Sequence, residues 1–422
     1  MKSNGNMQLE RIEISKLKSA EYNPRKALKP GDPEFEKLKN SITEFGYVEP
    51  IIWNKRTGKV VGGHQRLSVL KHLGETEVDC VVVDLDEQKE KALNIALNKI
   101  SGDWDMPLLT DLLKDLNDDG FDITLTGFDM AEFDSFFKDE VKEQVAEDDD
   151  FDLSKQLKNI TKVRTQKGDI WQIGKHRLMC GDSTEEGDVA QLLGGKKATV
   201  VFTDPPWNVD YGGASHPSWK QRSIMNDSMS TEQFGVFLTK AFDCMSKVIV
   251  DGAMVYVVMS GQEWGNIMNV MDKCGYHWSS TIIWAKDTLV LSRKDYHTQY
   301  EPIWYGWKNG TRVCPLEDRK QSDVWNIPRP KRSEEHPTMK PIELVARALM
   351  NSSHSNEIAL DLFGGSGTTL MAAEQTNRVC CMMELDPKYC DVIVQRYINL
   401  FNKEEDIFLI RDGKKIPYKD VK

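Results

Sequence analysis

A glycine-rich turn between two strand-like segments is the feature that most constrains the fold of this chain. An apolar segment, residues 358–362, precedes the turn, and a helix-like segment, residues 369–375, follows it. A second strand-like segment covers residues 379–385. Strand, tight turn, helix and strand in this order form a βαβ unit with two parallel strands. The sequence therefore predicts an α/β fold with a mostly parallel sheet.

The turn has the composition of a nucleoside-binding loop. Its glycines allow close backbone approach, and the N–H groups that open the next helix can face a ligand. Glu384 lies 20 residues after Gly364, where a carboxylate can accept hydrogen bonds from both hydroxyls of a ribose. Leu370 stands where a dinucleotide fingerprint needs its third glycine, which disfavours a pyrophosphate. An adenosine cofactor without phosphates fits better, and S-adenosylmethionine is one.

Asp204-Pro205-Pro206-Trp207 follows a third strand-like segment, residues 198–203. Open α/β sheets bind ligands at the carboxyl ends of their strands. The Asp204 carboxylate and a carbonyl of Pro205-Pro206 can accept the two N–H bonds of an exocyclic amine, which directs its lone pair at a methyl donor. Trp207 offers a face for an extruded base, since methylation within a duplex requires extrusion. Taken alone, the tetrapeptide could also be a Pro-Pro turn beside a buried Trp.

Together these segments resemble the β class of amino-methylating DNA methyltransferases, which carry D-P-P-[YFW] and F-x-G-x-G in this permuted order. Residues 168–182, 301–305, 336–341 and 384–387 are similar to further segments of that class, so the resemblance covers residues 160–402. It implies a class I S-adenosylmethionine-dependent methyltransferase fold, which is Rossmann-like with seven mostly parallel strands. It also implies that Asp204, Pro205, Pro206 and Trp207 are catalytic.

The resemblance further implies a cofactor site. Phe363 would pack against the adenine, Glu384 would bind the ribose, and Asp361 with Lys340 would lie near the methionine end. Asp182 would contact the adenine edge, with a turn cap as the alternative role. The implied cofactor-binding residues are Asp182, Lys340, Asp361, Phe363, Gly364, Gly365, Ser366, Gly367, Thr368, Glu384 and Asp386.

The target amine is a separate question. In this family D-P-P mostly accompanies adenine N6 and S-P-P mostly accompanies cytosine N4, so Asp204 favours adenine. Cytosine N4 in DNA stays open as an alternative, because both amines present the same geometry. Adenine in RNA is another, since eukaryotic messenger-RNA enzymes are similar at D-P-P-W and share the permuted order.

Residues 1–100 are predicted to form a smaller α+β domain. It resembles the ParB/sulfiredoxin-like N-terminal domain, with residues 22–25 as the first box and residues 63–66 as the second, in the G-G-H-Q-R form of copies fused to phage-type methylases. The resemblance implies a nucleotide site built from Arg25, Gly63, His64 and Arg66. Structural ion pairs are the alternative for the two arginines. A ParB-like nucleotide- or DNA-binding module with a vestigial methylase is the competing function.

The acidic charge of the chain is concentrated between these domains. Residues 102–152 hold 18 acidic and 3 basic residues, whereas the rest of the chain holds 48 acidic and 52 basic residues. The net charge of −11 therefore does not argue against a nucleic-acid partner. We predict an acidic helical region and linker over residues 101–155, with residues 139–152 solvated, and the methyltransferase domain over residues 156–422.

Basic residues gather in two irregular segments, 212–228 and 309–333. Lysine and arginine neutralise phosphates, and arginine can read guanine edges. A solvated basic face is the alternative. The predicted contacts with double-stranded DNA are Lys220, Arg222, Arg319, Lys320, Arg329, Lys331 and Arg332.

Composition also predicts the state of the thiols and the location of the protein. The eight cysteines show no C-x-x-C spacing, and no stretch has the length and apolar character of a signal region or a membrane span. These features predict reduced thiols in a cytoplasmic protein. The sequence predicts no metal site, and a homodimer stays open.

Overall fold

Two units of the chain, Met1–Lys142 and Glu143–Lys422, each build their own hydrophobic core. The structure is a computed structural model. It describes residues 8–24, 28–98, 106–128, 130–136, 146–208, 229–290, 295–316, 320–330 and 339–421.

The first unit contains a four-stranded sheet. Its strands are β1 (Leu9–Glu13), β2 (Ile51–Asn54), β3 (Lys59–Gly62) and β4 (Glu77–Val83), in the order β1-β4-β2-β3. The helices beside it are α1 (Pro33–Phe45), α2 (His64–His72) and α3 (Glu87–Asn98). β2 and β3 pair antiparallel as a hairpin. Ile51, Val60 and Cys80 are fully buried in this core.

Two further helices of this unit form part of a separate apolar cluster. They are α4 (Met106–Asp118) and α5 (Met130–Phe136). Leu109, Leu112, Leu113 and Leu116 of α4 are buried and pack with Ile95 of α3. The helical spacing of these leucines predicts this packing, and the structure confirms it.

The described part of the second unit contains an eleven-stranded sheet with helices on both faces. Its strands are β5 (Ile170–Ile173), β6 (His176–Cys180), β7 (Ala198–Thr203), β8 (Ile249–Val258), β9 (Tyr276–Val290), β10 (Thr298–Lys308), β11 (Val324–Asn326), β12 (Ile358–Asp361), β13 (Val379–Glu384), β14 (Ile407–Arg411) and β15 (Lys414–Pro417). Its helices are α6 (Leu153–Asn159), α7 (Glu186–Leu193), α8 (Thr231–Val248), α9 (Trp264–Lys273), α10 (Ile342–Ser352), α11 (Thr368–Gln375) and α12 (Pro387–Phe401).

The predicted seven-stranded, mostly parallel sheet is the centre of this larger sheet. Its order is β6-β13-β12-β7-β8-β10-β9, and the first five strands are parallel to one another. β10 is antiparallel to both β8 and β9. Four flanking strands extend the sheet to eleven: β11 beside β9 at one end, and β5, β14 and β15 beside β6 at the other.

Successive residues of the central strands belong to cores on opposite faces of the sheet. Val200 and Phe202 of β7 pack with α10, α11 and α12, whereas Val201 packs with α7, α8 and α9. Strands buried on both faces need apolar residues at consecutive positions, which is what residues 198–203 provide. Because β7 and β12 are adjacent and parallel, their carboxyl ends lie at the same edge of the sheet.

The segment before α6 corrects one prediction. Residues 146–152 belong to the expected solvated linker, yet Ala146 and Phe151 are buried in apolar clusters of the second unit. The count of acidic residues concealed this packing, because Ala146 and Phe151 are isolated apolar residues among acidic ones.

Candidate active site

Asp204 lies immediately after β7, and both of its carboxylate oxygens accept a hydrogen bond. Trp207 Nε1 donates to Oδ1 over 3.1 Å, and Lys340 Nζ donates to Oδ2 over 2.6 Å. The Asp204 side chain is 26 % exposed, so a ligand can still reach it. A carboxylate has about four acceptor sites, which leaves capacity for a target amine.

Lys340 belongs to a chain of buried charges behind Asp204. Its Nζ also lies 3.2 Å from Glu301 Oε2, and Lys286 Nζ lies 2.6 Å from Glu301 Oε1. Lys340 is 5 % exposed, and the Glu301 and Lys286 side chains are each 4 % exposed. The sequence analysis gave no role to Glu301 or Lys286. The available signal was a charged residue within each of the apolar strands β9 and β10.

This chain of charges determines the protonation of the site. Burial raises the pKa of Asp204, and the Lys340 ammonium opposes that rise. Burial lowers the pKa of Lys340, but the charges of Asp204 and Glu301 outweigh burial, so its pKa is raised overall. Lys340 is therefore the cation that favours the ionised form of Asp204.

Replacing Lys340 by methionine should shift the acid limb of the kcat/KM profile to higher pH. Without the ammonium, the Asp204 and Glu301 carboxylates would lose the cation that they share. The pKa of Asp204 would therefore rise. We expect kcat/KM at pH 7 to fall roughly tenfold. Methyl-transfer rates measured from pH 5.5 to 9 would check this.

Lys286→Met is the matched control for that experiment. It removes an equally buried cation from the other oxygen of Glu301 but leaves the pair of Lys340 and Asp204 in place. Its acid limb should stay close to that of the wild type. The same displacement in both variants would mean that Lys340 acts only through the overall charge of the site.

The glycine-rich turn between β12 and α11 is tightly packed. A Cβ on Gly364 would lie 2.8 Å from the Met382 side chain, and one on Gly367 would lie 2.8 Å from Ile393. Gly367 also has a φ of 84°, in the left-handed region that favours glycine. These two positions therefore exclude larger residues.

Glu384 ends β13 and holds the turn. Its Oε2 accepts from Gly365 N over 2.8 Å, and its Oε1 accepts from Asp386 N over 2.9 Å. Burial raises the pKa of Glu384 to about 7, and the charges of Asp386 and Asp361 add to that rise. Asp386 itself caps α12, because its side chain accepts from Lys388 N.

Asp361 connects the cofactor turn to the catalytic strand. Its Oδ1 accepts from Thr203 Oγ1 over 2.8 Å and from Phe363 N over 3.1 Å. Its Oδ2 accepts from Thr369 Oγ1 over 2.7 Å. Burial raises the pKa of Asp361 to about 6, against the effect of these three donors. Thr203, the residue before Asp204, therefore links Asp361 to the end of β7. The sequence analysis did not single it out.

The remaining predicted cofactor residues lie at the same edge of the sheet or near it. The Phe363 ring lies 6.0 Å from the ring of Phe237 on α8. Thr368 Oγ1 lies 3.1 Å from Ser366 Oγ and donates to the Lys340 carbonyl. Asp182 Oδ1 accepts from both the N–H and the hydroxyl of Thr184, which is the turn cap given as its alternative role.

The predicted nucleotide residues lie in the first unit. Gly63 has a φ of 87° and precedes α2, and His64 Nε2 accepts from Ala20 N over 3.4 Å. Arg66 Nη1 contacts both the carboxylate and the carbonyl oxygen of Glu49, which fits the ion-pair alternative. Arg25 lies outside the described residues.

Two of the predicted DNA contacts are described. Lys320 is exposed, and Arg329 is held against β9 by bonds to Asp287 and Thr288. The others lie outside the described residues: Lys220, Arg222, Arg319, Lys331 and Arg332.

Two general features concern the described residues as a whole. All eight cysteines are free thiols, and seven of them are buried. Across the described ranges, helices with the length and apolar character of a membrane span are absent.

Comparison with protein families identifies three regions. The DNA methylase family matches residues 198–395, the ParB N-terminal domain matches residues 1–99, and the ParB-methyltransferase HTH domain matches residues 107–165. The last region includes most of the acidic segment, in which the sequence analysis recognised helices but no DNA-binding domain.

Individual relatives are distant. The type II methyltransferase M.HpaI of Haemophilus parainfluenzae is 22 % identical over 55 % of this chain and 77 % of its own length. The DNA adenine methyltransferase YhdJ of Escherichia coli K12 is 24 % identical over 52 % of this chain and 81 % of its own length.

Solved structures with similar folds include two methyltransferases. The M1.HpyAVI–SAM complex has a TM-score of 0.40 at 18 % identity, over 52 % of this chain and 98 % of its own. The cytosine-N4-specific PvuII DNA methyltransferase has a TM-score of 0.43 at 16 % identity, over 55 % and 88 %. From the family matches, residues 198–395 are a DNA methylase domain, and a ParB N-terminal domain and a ParB-methyltransferase HTH domain precede it.

Proposed function

We propose that this protein transfers the methyl group of S-adenosylmethionine to the exocyclic N6 of adenine in double-stranded DNA. The observation that carries the proposal is the arrangement at one edge of the sheet. Asp204 follows β7, the glycine-rich turn follows the adjacent β12, and Glu384 ends β13 beside it. A carboxylate that could accept hydrogen bonds from the target amine thus lies next to a turn that would suit a nucleoside.

The charge of the site supports this cofactor. The charge of Asp204 raises the pKa of Asp361, and the charge of Asp361 raises the pKa of Glu384. Buried carboxylates favour a cationic ligand and disfavour a phosphate. S-adenosylmethionine carries a sulfonium and an ammonium, and it supplies the electrophilic methyl group when bound. Glu384 would hold its ribose, Phe363 its adenine, and Asp361 with Lys340 would lie near its methionine end.

The residues around Asp204 would orient the target. The Asp204 carboxylate and a carbonyl of Pro205 or Pro206 would accept the two amine N–H bonds, which localises the lone pair on nitrogen. Trp207 would stack on the flipped base, with the Lys340 ammonium 4.9 Å from its ring centre. Positioning of the two reactants in a desolvated site would supply most of the rate.

Adenine is favoured over cytosine by the D-P-P tetrapeptide and by the relative named as a DNA adenine methyltransferase. Incubation of the pure protein with labelled S-adenosylmethionine and unmethylated duplex DNA, followed by digestion to nucleosides, should give labelled N6-methyladenosine. N4-methylcytosine would overturn the base assignment, and label found only in added RNA would overturn the choice of polymer.

The methylase and HTH domains bind DNA. The DNA contacts, a nucleotide site and the cellular location belong to the proposal. Basic residues such as Lys320 and Arg329 would contact phosphates or bases near the target. The turn at Gly63 and the helix that follows would bind a nucleotide in the ParB-like domain. The enzyme would act in the cytoplasm, where its buried free thiols stay reduced.

A further inference from the structure

Arg396 joins the acidic segment to the cofactor turn. It lies on α12 with its side chain 1 % exposed, and its Nε and Nη2 donate to the two oxygens of Asp149 over 2.8 and 2.7 Å. Its third nitrogen, Nη1, donates to the carbonyl oxygen of Ser366 over 2.9 Å. One planar guanidinium therefore connects a residue of the segment before α6 with the backbone of the glycine-rich turn.

Neighbouring contacts fix this segment in place. The Phe151 ring centre lies 4.5 Å from the Arg396 guanidinium carbon, and Phe151 packs with Met339 and Val392. Asp148 Oδ1 accepts from the backbone N–H of Ile342, two residues after Lys340. The acidic segment thus contacts the chain at the glycine-rich turn and beside Lys340.

We propose that Asp149 is a positioning residue for cofactor binding. By holding both nitrogens on one side of the Arg396 guanidinium, it aims Nη1 at Ser366 O and keeps the turn in the conformation in which Gly365 N reaches Glu384. The rigid fork of arginine makes the two contacts interdependent. Without the carboxylate, Arg396 would be a buried cation free to leave Ser366 for water. This inference rests on the proposed function, since S-adenosylmethionine is the ligand of the turn.

The test compares full-length Asp149→Asn with full-length Glu147→Gln. Both changes remove one negative charge from the same acidic segment, but the Glu147 side chain is exposed and Gln375 contacts only its carbonyl oxygen. We expect Asp149→Asn to raise both the Kd and the KM for S-adenosylmethionine roughly tenfold, with little change in the KM for DNA. Glu147→Gln should match the wild type in both constants.

A merely structural role would give a different pattern. Loss of folded protein lowers the apparent kcat because a smaller fraction of the protein is active, and it leaves the Kd and KM of the remaining enzyme unchanged. That pattern would overturn the inference. Arg396→Lys keeps the charge but cannot bind Asp149 and Ser366 through one planar group, so its KM for S-adenosylmethionine should rise as well. An unchanged KM in that variant would also overturn the inference.

Calorimetric binding separates this inference from the proposed function. A wild-type protein that binds S-adenosylmethionine but methylates no nucleic acid would overturn the proposed function alone, and the ratio of Kd values for Asp149→Asn would still decide the role of Asp149. A wild-type protein that does not bind S-adenosylmethionine would overturn both.

Discussion

Asp204→Ala should lower kcat for methyl transfer by roughly 10²- to 10³-fold. The side chain would no longer accept a bond from the target amine, so the lone pair of that amine would stay delocalised into the base. The Kd for S-adenosylmethionine should change little, because Gly365 and Glu384 keep their contact in the turn. Single-turnover methylation and calorimetric cofactor binding on the same preparation would check both expectations.

Cofactor binding is also the control for folding in this experiment. Lys340 loses its 2.6 Å partner in Asp204→Ala but keeps Glu301 at 3.2 Å, so its charge stays compensated. Normal binding with lost transfer would place Asp204 in the chemical step. Transfer at the wild-type rate would overturn the role assigned to Asp204, and loss of both activities would show that the variant damages the cofactor site.

Glu384→Gln should raise the Kd for S-adenosylmethionine by about 10-fold or more at pH 8, because an amide accepts the ribose hydroxyls through one oxygen and without charge. In the wild type, the pKa of about 7 at Glu384 predicts that affinity falls as the pH drops below 7. The loss should approach about tenfold per pH unit, because a proton must leave before the ribose can bind. Calorimetry from pH 5.5 to 8 would measure it.

Glu384 should affect the stability of the cofactor-free protein in the direction opposite to its effect on cofactor affinity as the pH falls. The pKa of Glu384 in the folded chain is raised above its ordinary value of 4.5, so the folded state binds this proton more tightly than the unfolded state. Its contribution to the free energy of unfolding therefore increases as the pH falls from about 7 towards 4.5. Glu384→Gln should lose both pH dependences, and a wild-type Kd that is flat across pH 7 would contradict the assignment.

The local structure of the candidate site was predictable from the sequence because it resides in contiguous motifs. The strand before Asp204, the turn around Gly364 and the strand that ends in Glu384 each show their structure within a short window. Their placement together follows from the rule that ligands bind at the carboxyl ends of parallel strands. The seven-stranded centre of the sheet was likewise predictable.

The buried charges were not predictable in the same way. Glu301 and Lys286 meet only because β9 and β10 pair, and Asp149 reaches Arg396 across 247 residues of sequence. Such partners carry no local pattern, and an acidic run looks solvated until the basic residue it binds is known. Tertiary packing therefore overrode the compositional prediction at Ala146 and Phe151, and the ion pair with Arg396 did so at Asp149.

The hydrogen bond between Thr203 and Asp361 spans 158 positions of sequence but joins the ends of two adjacent strands. The starting points of the Asp204 segment and of the glycine-rich turn are therefore registered by a lateral contact within the sheet, and the long stretch of chain between the two segments takes no part in that contact. Recombination that cuts and rejoins the gene within that stretch, away from both segments, would preserve the contact between Thr203 and Asp361. A site built on adjacent strand ends thus depends less on the order of its segments along the chain than a site whose catalytic groups share one loop.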